Sequence, residues 1–280
     1  MRMTRRLPRP LDALWREPTA AKVPEITVLF WVIKVLTTGM GEAISDFLGQ
    51  KSIPLAAVVG LGGLAWAMWL QLRAPEYRAR TYWFAVLMVA VFGTMAADGV
   101  HRGAGVPYSL STPFFAVVVA GVFWLWHRNE GTLSIHSIVT RSREGYYWVA
   151  VLATFALGTA LGDLTAFTLH LGFLASAVLF AVIISLPAIG RRSRRLDPVL
   201  AFWAAYVVTR PLGASIADWF AKPHHLTGMG WGDGAVSAIA LVLFAALVAY
   251  VARTEHGVQP PHEAHRRARR PQPAGAESTI

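Results

Sequence analysis

The chain has 280 residues, of which 55% are hydrophobic and only 15% charged, with a formal net charge of +10. A soluble domain holds nearer a quarter charged residues, so this balance points to a membrane protein and away from a soluble enzyme or a nucleic-acid binder. There is no cysteine. That excludes disulfides, thiolate metal sites and cysteine nucleophiles, and it leaves any metal to carboxylate, imidazole or carbonyl ligands.

In chain order, residues 1–25 are basic and broken by proline (Arg5-Arg6-Leu7-Pro8-Arg9-Pro10). No apolar core and no small-residue cleavage site follow, which predicts a cytoplasmic segment rather than a signal peptide. Apolar stretches then predict eight membrane spans, at about 26–47, 54–72, 82–100, 112–126, 146–167, 171–189, 198–220 and 234–252. Stretches of this kind suit a hydrocarbon core of ~30 Å. Residues 253–280, rich in Pro, Arg, His and Ala, read as a disordered basic tail. The N-terminal segment, the links after spans two, four and six, and the tail hold nearly all Lys and Arg, while the opposite links offer only Lys51, Arg102 and Lys222. This asymmetry predicts that both termini are cytoplasmic.

Every second span repeats one frame without an insertion: Trp31, Gly41, Asp46; Trp83, Gly93, Asp98; Trp148, Gly158, Asp163; Trp203, Gly213, Asp218. A fixed spacing of scarce residues marks an internal repeat. The expected fold is an all-α membrane protein, with eight transmembrane helices forming four parallel two-helix repeats (about 26–72, 82–126, 146–189 and 198–252) in one domain, 26–252. A pseudo-fourfold ring is the simplest arrangement, with two pseudo-twofold halves as the competitor.

The repeat suggests roles. Trp suits a headgroup anchor, and Gly suits close helix packing. Asp46, Asp98, Asp163 and Asp218 fall near the far edge of the hydrocarbon. There they either form a carboxylate ring able to concentrate cations or are simply solvated or capping groups. One turn earlier the copies diverge to Glu42, Thr94, Thr159 and Ala214, on the same helix face as the Asp. Arg210 lies near mid-membrane and Lys34 a little to the cytoplasmic side of it. Charges at that depth are costly unless paired. A closed ring brings repeat four beside repeat one, which predicts that Arg210 reaches Glu42. Pro211 removes a backbone bond, so Thr209-Arg210-Pro211 is expected to be a hinge or a broken helix. A secondary expectation is a metal set of Asp98, His101 and His170, against the reading of these histidines, with His224 and His225, as solvated loop residues. The apolar link around residues 129–138 is expected to be a short interfacial helix or a gate that folds back.

The motifs Lys22-Val-Pro-Glu25-Ile26, Gly41-Glu-Ala-Ile-Ser-Asp46, Phe92-Gly-Thr-Met-Ala-Ala-Asp98, Glu130-Gly-Thr-Leu-Ser-Ile-His136-Ser, Gly158-Thr-Ala-Leu-Gly-Asp163 and Arg210-Pro-Leu-Gly-Ala-Ser-Ile-Ala-Asp218 carry a resemblance. Over about residues 22–254 the chain resembles a bacterial family of uncharacterised integral-membrane proteins built from four tandem two-helix repeats. That resemblance implies a multi-span protein of the bacterial inner membrane and no particular activity. From the residues themselves, the expected function is secondary transport or export of a cation, divalent or proton-coupled, with Asp46, Asp98, Asp163, Asp218, Glu42, Thr94 and Thr159 as pathway and Lys34, Arg210 and Pro211 as coupling or hinge residues. The alternatives are a non-transporting scaffold or sensor, or an intramembrane metal-dependent lipid hydrolase. No phosphate-cradling loop is present, so direct ATP use, a nucleotide cofactor and a nucleic-acid partner are not expected. The bilayer and a small inorganic cation or proton are.

Overall fold

The computed structural model describes residues 20–259. The basic stretch before residue 20 and most of the predicted tail lie outside the described residues. Eight helices are long and apolar enough to cross a membrane: α1 (Val28–Lys51), α2 (Ile53–Arg73), α3 (Ala79–Asp98), α4 (Tyr108–Glu130), α5 (Arg141–Asp163), α6 (Gly172–Arg192), α7 (Pro198–Ala221) and α8 (Asp233–Thr254). Their ends follow local chemistry. Thr27 caps α1 through the Phe30 amide, and Asp197 caps α7 through the amides of Val199 and Leu200, with Pro198 in the first turn. Gly131 closes α4 at φ 70°, a left-handed conformation that glycine adopts freely. No strand occurs among the described residues, as a chain that satisfies its backbone within each span requires.

The odd helices form the core. α1 packs on α3, α3 on α5, α5 on α7, and α7 back on α1, so the ring closes and no seam divides it into halves. Each even helix lies mainly against the odd helix of the next repeat: α2 on α3, α4 on α5, α6 on α7 and α8 on α1. In the most apolar stretch, 61, 61, 72 and 56% of the residues are buried along α1, α3, α5 and α7, against 17, 28, 33 and 28% along α2, α4, α6 and α8. The even helices therefore turn residues such as Val58, Trp66, Phe114, Val117, Val182 and Val242 outward.

The repeat glycine explains how the odd helices approach. A methyl group on Gly41 would strike Ala90, one on Gly93 would stand 2.6 Å from the Phe155 Cβ, one on Gly158 would overlap the Arg210 stem, and one on Gly213 would lie 2.7 Å from the Val35 carbonyl and overlap Thr38. Ala90, Phe155, Arg210 and Thr38 all stand eight residues before a repeat Asp. Each helix thus offers its glycine to the same position of the next helix, around the whole ring. The small residue is there for packing, as small-residue interfaces between membrane helices generally are.

Three of the four repeat tryptophans are not headgroup anchors, while Trp31 is half-buried against Phe30 and Phe202. Trp83, Trp148 and Trp203 are buried, and they join Phe30, Tyr82, Tyr147, Phe202 and Tyr206 in an aromatic layer across the ring, near the end where α1 begins and α8 ends. Edge and tilted contacts of this kind are the arrangements aromatic pairs prefer. The link between α4 and α5 folds back under this layer as a short 3₁₀ turn, Ile135–Ser137, with Ile135 and Ile138 buried in the same core. Its Leu133 carbonyl accepts from Trp203 Nε1 at 2.9 Å. The segment before α1 closes this end: Lys22 and Glu144 form an ion pair at 2.6 Å, both buried, with Gln71 Nε2 3.3 Å from Glu144 Oε1. Burial lowers the Lys22 pKa, and the Glu144 carboxylate opposes that shift.

Candidate functional site

Between the aromatic layer and the far end, the ring interior turns polar. Arg210 leaves α7 with its stem over Gly158 and its guanidinium in the middle of the ring. Nη2 stands 2.7 Å from Glu42 Oε2 and 2.7 Å from Thr159 Oγ1, and it also donates to Thr94. Nη1 donates to the Thr38 carbonyl at 2.6 Å. The contact expected from ring closure, repeat four to repeat one, is therefore present, and the two predicted threonines complete the same shell. All four odd helices meet on this one guanidinium. A planar fork with five fixed donors suits that task, whereas an ammonium would reach fewer of these partners.

α7 runs unbroken through Pro211, so the expected broken helix is not found. Pro211 instead packs beside Gly158 and Gly162 of α5, and Thr38 Oγ1 donates to the Thr209 carbonyl at 3.1 Å, tying α1 to the turn before the proline. Lys34 is buried one layer nearer the aromatic layer, with Nζ 4.1 Å from the Phe155 ring centroid and 4.2 Å from that of Tyr206. The Arg210 guanidinium lies 5.1 Å from the same Phe155 ring. One aromatic side chain thus stands against both buried cations, an arrangement in which the negative ring face offsets part of the lost hydration.

The Asp layer lies one turn beyond Glu42. Asp46, Asp163 and Asp218 are buried, and the Asp98 side chain is 16% exposed. Neither Asp98 nor Asp163 caps the helical turn that follows it. Carboxylate oxygens of Glu42, Asp46 and Asp218 lie within 4.8 Å of one another, the one such group among the described residues able to close on a metal ion. Asp163 Oδ2 and Asp218 Oδ1 are buried without a hydrogen-bond partner. Unpaired buried acceptors of this kind are expensive and call for a partner.

Cations from the far-end loops fold back onto this layer. Lys222 Nζ bonds to Asp46, stands 2.9 Å from Asp233 Oδ1 and 3.6 Å from Asp218 Oδ1. Arg102, more than half exposed, reaches Asp46 at 3.4 Å and Asp98 at 3.7 Å. Burial works against the charge on Lys222, but Asp218 and Asp46 outweigh it and raise its pKa above the usual lysine range. Lys222 and Arg102 follow their Asp by four residues, the spacing that shares a helix face. Gln50, at the same offset from Asp46, donates to Asp233 at 2.6 Å. Sequence reading treated the two basic residues only as topology markers and passed over Gln50 and Asp233, although the common offset was visible.

The secondary metal set does not assemble. His101 uses Nδ1 on the Val106 carbonyl at 2.6 Å and stacks on Tyr108 at 3.4 Å, while His170 is exposed with φ 55°. The π-helical turns Gly99–Gly103 and Leu164–Thr168 follow Asp98 and Asp163, and the first carries His101 away from ligand geometry. Six carboxylates (Glu42, Asp46, Asp98, Asp163, Asp218, Asp233) therefore face three cations (Arg102, Arg210, Lys222), so the site is electronegative and built of hard oxygen donors.

A family model described as a repeat of unknown function, DUF347, matches the chain four times, over residues 29–77, 81–132, 146–195 and 201–256. No curated protein and no solved structure matches it.

Proposed function

Since the chain belongs to the DUF347 repeat family, an integral-membrane architecture of four two-helix units, we propose that it is a secondary transporter or exporter of a small cation. In this reading the cation enters the Asp layer from the far side and is held by Glu42, Asp46 and Asp218. The observation that carries the reading is the buried excess of carboxylates, with Asp163 Oδ2 and Asp218 Oδ1 lacking hydrogen-bond partners. Ionised carboxylates in a low-dielectric ring repel one another, so protons or a cation must make up the difference. Exchange of one for the other is the elementary step of proton-coupled transport. Thr94 and Arg210 fix the orientation of Glu42, Thr159 holds the Arg210 guanidinium in place, and the aromatic layer closes the route onward. The excess of Lys and Arg on the termini side supports an orientation with both termini in the cytoplasm of a bacterial cell and the Asp layer facing outward.

The test is flux in proteoliposomes containing a pH-sensitive dye, driven by gradients of Mn²⁺, Mg²⁺ or Na⁺. Wild type is expected to couple at least one of these to proton movement, and Asp163→Asn and Asp218→Asn to abolish it. Undiminished flux with all four repeat Asp replaced by Asn would overturn the reading. Normal folding and no ion movement in wild type would favour the scaffold instead, for which the Arg210–Glu42 and Lys222–Asp46 bridges between α7 and α1 would be the purpose of the charges.

A further inference from the structure

Lys222 ends α7, and its backbone cannot move freely. Its N–H donates to the Asp218 carbonyl at 2.8 Å, and its own carbonyl accepts from Gly230 at 2.8 Å. The loop returns alongside the last turn of α7, with Met229, Trp231 and Gly232 donating to Trp219, Phe220 and Ala221. Gly228 passes so close that any side chain there would overlap the Lys222 backbone. The mobile part is therefore the four-carbon stem with its ammonium, which has three rotatable donors and no fixed geometry.

That ammonium has two sets of partners. One is Asp46 and Asp218, two of the three carboxylates that can close on an ion. The other is Asp233, in the first turn of α8, where the helix N-terminus favours a negative charge. Asp233 is itself fixed by Gln50 at 2.6 Å. Its bond to Lys222 does not depend on Asp46 or Asp218, so it can keep the ammonium while those two are engaged elsewhere.

We propose that Lys222 is a tethered competitor at the cation site: it covers Asp46 and Asp218 when no cation is bound, and withdraws onto Asp233 when one enters. The inference rests on the cation-site reading above. It makes Lys222 a specificity-determining and gating residue. A cation must outcompete an ammonium for the same oxygens, which favours higher charge density and discriminates against weakly bound monovalent ions. It also makes the site self-neutralising between turnovers, since the carboxylates never lose all their counter-charge.

The experiment is Mn²⁺ binding to the purified full chain in lipid nanodiscs, read from the paramagnetic resonance of free Mn²⁺. Lys222→Gln is expected to bind about tenfold more tightly than wild type, and Asp233→Asn several-fold more weakly, because the ammonium then has nowhere to withdraw. In the double variant the Asp233→Asn effect should vanish, leaving the affinity of Lys222→Gln. A residue needed only for structure would weaken binding when replaced, and simple long-range electrostatics would give additive changes. Either result overturns the inference. Asp218→Asn separates it from the reading beneath: binding lost there, with Lys222→Gln unchanged, rejects the competitor but keeps the site. If neither wild type nor any variant binds Mn²⁺, or if Asp218→Asn binds as tightly as wild type, both fall. Should Lys222→Gln be unstable without metal, the rise in its melting temperature with Mn²⁺ gives the same readout, expected to be larger than that of wild type.

Discussion

Along one ring of four helices, the half where α1 begins and the half nearer the repeat Asp solve the same packing problem with opposite chemistry. In the first, Phe30, Tyr82, Trp83, Tyr147, Trp148, Phe202 and Trp203 interlock, and the buried pair of Lys22 with Glu144, which Arg141 also reaches at 3.2 Å, sits at its edge. In the second, carboxylates outnumber cations and two buried oxygens accept no hydrogen bond. The aromatic half is near-symmetric: each repeat supplies a Trp and, one position before it, a Phe or Tyr. The acidic half is symmetric only in its Asp. One layer deeper it holds a Glu, two Thr and an Ala, and a single Arg210 serves them all. Symmetry builds the wall, and its violations choose where charge resides.

The largest effect should come from breaking that asymmetric layer. Arg210→Met leaves Glu42 buried without its cation, a loss that costs about 3–5 kcal/mol when one partner of a buried pair is removed. Thermal unfolding in detergent should show a melting temperature many degrees lower, or no folded protein. Adding Glu42→Gln to Arg210→Met should recover most of the stability while leaving transport dead, because two neutral groups no longer demand each other. If the double variant is as unstable as the single one, Arg210 holds the ring through its threonine and carbonyl bonds rather than through Glu42.

Next in size are the glycines that set the spacing of both halves. Gly213→Ala puts a methyl against the Val35 carbonyl and the Gly39 amide of α1, backbone atoms that cannot step aside. Overpacking of this kind costs about 1–3 kcal/mol. Gly121→Ala, in α4 with open space around it, should be neutral or stabilising by up to about 1 kcal/mol through helix propensity. Equal effects of the two on the melting temperature would mean that the α1–α7 crossing is not a close one.

A smaller, pH-dependent effect tests the edge of the aromatic half. Glu144→Gln removes the carboxylate that opposes the burial-driven fall of the Lys22 pKa, so that pKa should drop further. A lysine whose folded pKa lies below its unfolded value costs stability while it is charged in both states. The cost shrinks as pH rises from the folded value towards the unfolded one, near 10.4. The melting-temperature deficit of Glu144→Gln relative to wild type should therefore narrow between pH 7 and pH 10. A constant deficit across that range would show that Lys22 loses nothing electrostatic when Glu144 is neutralised.

Much of this was legible in the residues. The Trp–Gly–Asp frame and the hydropathy define eight helices and four repeats, and closure of a four-repeat ring by itself puts Arg210 beside Glu42. The burial of the tryptophans was not legible, because an indole near a span end suits lipid headgroups and aromatic packing equally, and only the neighbours on other helices decide. Pro211 does not break its helix, for a related reason. A missing backbone donor breaks a helix only if nothing else holds it, and here Arg210, Gly158 and the Thr38–Thr209 bond hold α7 in line. Lys222 and Arg102 counted as topology charges because their role depends on a loop folding back, which a one-dimensional pattern does not reveal.

The smallest expected effect marks where the acidic half ends. His101 and His170 are the side chains that a search for borderline metals would choose first, yet His101 spends Nδ1 on the Val106 carbonyl and its ring face on Tyr108. Removing that stack by His101→Ala should lower stability by about 1 kcal/mol and shift Mn²⁺ affinity less than twofold. His170→Ala should change neither. Asp46→Asn and Asp218→Asn, on the opposite side of this boundary, should each weaken binding at least tenfold with little loss of fold, since the amide keeps the shape and removes the charge. Were His101→Ala to reduce Mn²⁺ affinity as far as Asp218→Asn does, the ligand set would have to include the π-helical turn after Asp98, and the hard-oxygen character argued for the site would give way to a mixed nitrogen and oxygen one suited to zinc or iron.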